Sequence, residues 1–98
     1  MDAFDKNNQL TTDRWLTVFA IYLGYRLVRV ETAALGNPNK YTVACPELDW
    51  VQVQREFADP ETPILRRAFC MTIDRLQGYV NHARKNGNVW SCFGKHEN

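Results

Sequence analysis

TTDRWLTVFAIYLGYRLVRVE, residues 11–31, changes its hydrophobic period at Gly24. Before the glycine, Trp15, Leu16, Phe19, Ala20 and Leu23 recur at three- and four-residue steps, the spacing of one apolar helix stripe, with Tyr22 and Arg26 flanking it. Thr11-Thr12-Asp13 supply side-chain oxygens that accept the free amide hydrogens of a starting helix, and Gly24 supplies the left-handed residue that closes one. After the glycine, Tyr25 to Glu31 is rich in β-branched and aromatic residues. Val28 and Val30 fall on one face and Arg29 and Glu31 on the other, the pattern of a half-buried strand.

Outward from that switch, Leu35-Gly36-Asn37-Pro38-Asn39-Lys40 concentrates turn formers, and Tyr41-Thr42-Val43-Ala44-Cys45 resumes a β-favouring run that Pro46 ends. The pair reads as a two-stranded antiparallel hairpin with a long loop. Glu47 to Ala58 returns to helical spacing, with Trp50, Val53 or Gln54, and Phe57 inward, and Asp59-Pro60 stops it. Thr62 as N-cap and Pro63 as first helical residue open a long C-terminal helix, whose stripe runs Leu65, Phe69, Thr72, Leu76, Tyr79, Val80, Ala83 and which Gly87 closes. The expected fold is therefore α+β: helix, hairpin, short helix, long helix. Its expected core is Trp15, Phe19, Leu23, Val28, Val43, Phe57, Leu65, Phe69, Leu76 and Tyr79. Residues 1–10 read as a flexible lead-in, 11–87 as the domain and 88–98 as an aromatic tail. Two strands alone are marginal, so the tail is expected to pack back, to add a third strand, or to meet another chain, a homodimer included.

Composition narrows the function classes. A chain of 98 residues, 45% hydrophobic and 23% charged, holds one domain and is neither disordered nor fibrous. The apolar run Trp15 to Leu23 is interrupted by Thr17 and falls far short of the roughly 20 residues a membrane span requires, so no membrane partner is expected. Asp2 and Asp5 against Lys6 give the start of the chain the wrong charge for a secretory signal, which implies a cytoplasmic protein. Cys45, Cys70 and Cys92 are odd in number and widely spaced, and read as reduced thiols.

Chemistry-bearing constellations are sparse. Cys92 and His96 are four residues apart, but Cys70 and His82 lie on another element, whereas zinc needs four converging ligands, so no metal or other cofactor is expected. Cys70 and His82 are separated by about 18 Å of helical rise, too far for a nucleophile and its base. Ser91, the sole serine, sits in no G-x-S-x-G turn, and the five glycines form no phosphate loop. The chain is accordingly read as no enzyme. Gly78 inside the long helix is accounted for by close approach of another element of the fold or, more sharply, by a partner helix.

The main functional hint is cationic. Residues 1–61 carry 6 basic and 9 acidic residues, while 62–98 carry 6 basic and 2 acidic, with Asp74 the only acid between 62 and 96. Arg66, Arg67, Arg75, Arg84 and Lys85, with His82, load the long helix, and positions 67, 75, 78, 82 and 85 project away from the apolar stripe. A solvated face is the ordinary explanation. The sharper ones are contact with a protein partner or with a nucleic-acid backbone, in which Trp90 and Phe93 anchor the partner or stack on bases. The protein partner is preferred, because the overall charge of +1 is far from that of a dedicated nucleic-acid binder.

The order Thr-Thr-Asp at 11–13, an apolar helix ending Leu23-Gly24-Tyr25, the strand Leu27-Val28-Arg29-Val30, the strand Tyr41-Thr42-Val43-Ala44-Cys45, then helices, resembles a family of small bacterial and phage domains of unknown function. The resemblance covers residues 11 to about 85, and the chain departs from it at Trp15, Trp50 and the aromatic tail. That family carries no assigned activity, so it transfers no functional residue. What it implies is a phage or mobile-element setting, and the interaction module read from the residues then fits an accessory or inhibitory factor of such an element.

Overall fold

In the computed structural model, residues 7–34 and 36–92 are described. The elements are β1 (Asn8–Thr11), α1 (Arg14–Tyr22), β2 (Arg26–Glu31), β3 (Lys40–Ala44), α2 (Glu47–Ala58), α3 (Arg66–Lys85) and β4 (Val89–Ser91). The strands form one antiparallel sheet in the order β1-β3-β2-β4. The α+β class stands, and the hairpin expected from the sequence is its centre.

Both flanks of the hairpin gain a strand. Residues 8–10, read as part of a flexible lead-in, pair with β3 through Asn8 opposite Ala44 and Leu10 opposite Thr42. The tail contributes Val89–Ser91, which pairs with β2 at Arg29 to Glu31, so the strand option for the tail is the one the chain adopts. The first flank, Asn8-Gln9-Leu10-Thr11, has a single apolar residue and does not announce itself, whereas the aromatic tail left a strand open as one option. Each is a strand because an unpaired edge of the hairpin offers it backbone hydrogen-bond partners.

α1 is the hub. The Asp13 carboxylate accepts the N–H groups of Trp15 at 3.0 Å and Leu16 at 3.1 Å, as its sequence position implies. At the other end Gly24 adopts φ 108°, the Gly24 N–H donates to Ile21 O at 2.9 Å, and the Tyr25 N–H donates to Ala20 O at 3.1 Å, a complete Schellman closure. Between the caps every residue from Leu16 to Ile21 is buried, because the sheet, α2 and α3 surround the helix. Thr17 is tolerated there because its hydroxyl donates to Asp13 O at 2.9 Å.

That enclosure revises the expected core. Trp15 is 49% exposed in the first turn, beside the Arg14 guanidinium 5.8 Å from its ring, and Leu23 is 40% exposed beyond the last turn. Phe57 sits at the rim, 37% exposed, its ring 5.7 Å from Phe19. Val28 is the extra residue of a β-bulge between Leu27 and Arg29, so Leu27 and Val30, three apart, both face the helices while Val28 is half-buried. Phe19, Val43 and Leu76 lie in the core as expected, with Val18, Ala20, Tyr41, Cys45 and Val80 around them.

α3 also starts later than Thr62-Pro63. The Thr62 hydroxyl donates to Glu56 O at 2.7 Å, closing α2 instead of opening α3. The Leu65 N–H donates to the Tyr22 hydroxyl at 2.9 Å, which holds the connector extended until Arg66, and Leu65 is left 73% exposed. Once begun, α3 buries Thr72, Leu76, Val80 and Ala83 and is tied to α1 by the Arg14 guanidinium donating to Gln77 Oε1 at 2.9 Å. At its C-terminus Gly87 (φ 81°) and Asn88 (φ 70°) are both left-handed. The Asn88 N–H donates back to Ala83 O at 2.7 Å, and the Thr32 N–H donates to Asn88 O at 2.9 Å. This turn delivers β4 onto the edge of β2.

Candidate functional site

α3 distributes its cations by simple helix geometry. At about 100° per residue, Arg67, Arg75, His82 and Lys85 fall within an arc of roughly 80° on the side away from Leu76, and span about 27 Å of axis. Gly78 lies within that arc. Arg66 and Arg84 lie outside it, on the edge that carries Gln77 and therefore faces α1. All six residues are exposed. The structure thus splits the cationic set in two rather than making it one patch. Among the described residues none of the five Arg and Lys side chains forms an ion pair.

Two further features sit with them. Ile64, Leu65 and Met71 are 45%, 73% and 59% exposed, placing apolar surface around Arg66 and Arg67 at the start of α3. Gly78 has open space beyond it: a Cβ there would meet nothing within 4 Å. Close approach of another element of the same fold therefore does not account for this glycine.

Trp90 is not a free anchor. It lies opposite Val30 on the helix-facing side of the sheet, half-buried, with its ring stacked on Tyr79 at a centroid distance of 4.2 Å and 26° between planes. Phe93, His96 and the rest of residues 93–98 lie outside the described residues. Beside the stack, where β4 stops short of the first residues of β2, a cleft of about 320 Å³ opens. Ile21 and Leu27 give it apolar surface, Tyr25, Tyr79 and Trp90 aromatic surface, and Arg26 and Arg75 two cations. Sequence reading placed Arg26 only as a flank of the α1 stripe and did not find the cleft, which needs α3 and β2 brought side by side.

The three cysteines differ in exposure. Cys45 is fully buried, and its thiol is pushed up first by that burial and then by the Asp49 carboxylate, which disfavours thiolate. The Tyr25 hydroxyl is raised by burial and by donating to Asp49 Oδ2 at 3.2 Å. Cys70 is exposed and Cys92 half-exposed. Among the described residues no group of three or more His, Cys, Asp or Glu is placed to hold a metal ion, and no helix is long and apolar enough to cross a membrane.

Compared with protein-family models, curated proteins and solved structures, the chain has no match in any of the three.

Proposed function

We propose that this chain is a small, non-enzymatic interaction module that binds another protein through the start and outer face of α3. The observation that carries the reading is the exposed apolar set Ile64, Leu65 and Met71 set among Arg66 and Arg67, which have no ion-pair partner among the described residues. Met and Arg are enriched at protein interfaces, and a phosphate backbone gains nothing from apolar side chains. The partner surface is correspondingly acidic with apolar anchors. Gly78 supports contact on this helix, since an open, side-chain-free turn lets a partner's backbone come close. The phage or mobile-element setting implied by the resemblance makes an accessory or inhibitory factor the role we assign.

A second reading, nucleic-acid binding, is favoured by the row Arg67, Arg75, His82 and Lys85 along one face. It requires an affinity whose logarithm falls linearly with the logarithm of salt concentration.

Affinity capture from host lysate, with and without nuclease, separates the two. The expected result is a protein retained after nuclease and lost on Leu65→Glu with Met71→Glu, both exposed positions whose replacement leaves the circular dichroism spectrum unchanged. Retention that disappears with nuclease, and that Arg67→Glu with Lys85→Glu abolishes, transfers the function to nucleic acid. A self-associating chain by sedimentation, with no other protein retained, makes the partner a second copy.

A further inference from the structure

The cleft between α3, β2 and β4 shares Arg75 with the outer face of α3 but otherwise draws on other residues than the surface just described. Its two cations come from separate elements, Arg26 at the first residue of β2 and Arg75 from α3. Neither guanidinium makes a hydrogen bond or ion pair among the described residues, and no carboxylate is among the lining residues, so no described group neutralises either charge. Tyr79 and Trp90 are fixed against each other by stacking and form one stiff aromatic wall. Ile21 and Leu27 supply an apolar floor. A volume of about 320 Å³ is at the small end of the range for ligand sites, enough for one compact molecule.

Each part selects a chemical feature. Two guanidiniums from different elements suit a doubly charged group with several acceptor oxygens, as phosphate has, because each is a planar fork of donors. The aromatic wall suits a flat ring, with a gain that does not depend on which ring it is. The small volume requires ring and anion to belong to one compact molecule. The geometry points to a site for a nucleoside phosphate, its phosphate between Arg26 and Arg75 and its base against the aromatic wall. The same chemistry is presented by a free nucleotide and by the 5′-phosphorylated end of a single strand. In either case the occupant is a ligand of the folded domain.

The test is a calorimetric titration of the full chain with adenosine 5′-monophosphate, adenosine, inorganic phosphate and a short 5′-phosphorylated oligodeoxyadenylate. The monophosphate is expected to saturate, with adenosine and phosphate each weaker. Arg26→Glu and Arg75→Glu, both exposed positions, are each expected to weaken it by about tenfold or more, the loss associated with a charged hydrogen bond, while Arg67→Glu, away from the cleft, leaves it unchanged. Equal binding of mononucleotide and oligonucleotide identifies a free nucleotide; tighter binding of the oligonucleotide that is lost on dephosphorylation identifies a strand end. Failure of both to saturate at millimolar concentration, or binding that ignores Arg26→Glu and Arg75→Glu, overturns the assignment and leaves the α3 interaction surface untouched. Loss of a captured protein on Leu65→Glu with Met71→Glu tests that surface separately.

Discussion

Replacing Gly78 by alanine tests both the structure and the functional reading of α3. Gly78 is exposed in the middle of a 20-residue helix, has no left-handed φ, and a Cβ built on it meets nothing within 4 Å. Nothing opposes the intrinsic preference, so the substitution recovers the full difference between the two residues in a helix interior, about 1 kcal/mol. For a domain of this size that corresponds to a rise in Tm of roughly 4–8 °C. In urea it corresponds to a higher midpoint with an unchanged slope. Thermal and urea unfolding followed at 222 nm measure it directly. Gly24→Ala and Gly87→Ala are the counterparts: at φ 108° and 81° both lose about 1 kcal/mol or more, because a side chain is strained in that region. If a partner's backbone approaches this turn, Gly78→Ala also weakens capture of the partner while it strengthens the fold. An unchanged or lower Tm refutes the claim that the space is open and the turn regular. A higher Tm with unaltered capture removes Gly78 from the interface.

Three further outcomes concern the fold. Asp13→Ala removes the cap that satisfies two N–H groups of α1 and is expected to cost about 1 kcal/mol by urea unfolding, with Asp13→Asn or Asp13→Ser restoring most of it. For the thiols, a probe such as Ellman's reagent is expected to modify Cys70 first and Cys45 only on unfolding. Because the native Cys45 thiol holds its proton more tightly than the unfolded one, the unfolded state binds fewer protons once the pH passes the ordinary thiol value of about 8.5, and stability falls as pH rises through the native value. Cys45→Ala should flatten that alkaline decline; an equal decline in the variant would place its origin elsewhere.

The residues that were legible in the sequence are those whose neighbours in space are also neighbours in the chain. Asp13 capping α1, Gly24 closing it, Gly87 closing α3 and the turn formers between β2 and β3 act over a few residues, so their chemistry can be read from spacing alone. The extent of α2, Glu47–Ala58, follows from Pro46 before it and Asp59-Pro60 after it. The outward set Arg67, Arg75, His82 and Lys85 is likewise a consequence of helical period, which needs no tertiary information.

What only the tertiary structure decided is whatever depends on a partner distant in sequence. Trp15 and Leu65 satisfy a stripe yet stay exposed, while Val18 and Ile21 break it and are buried, because the sheet and two helices enclose α1 on several sides at once. Thr62 carries the signature of an N-cap, but its hydroxyl is taken by Glu56 O. β1 and β4 are strands only because the hairpin edges lie beside them. The cleft takes its two cations from residues 26 and 75, which no local pattern relates. Sequence by itself fixes periodicity and caps, which are local backbone preferences; it leaves open which faces meet, because that depends on the packing of the whole chain around one small core.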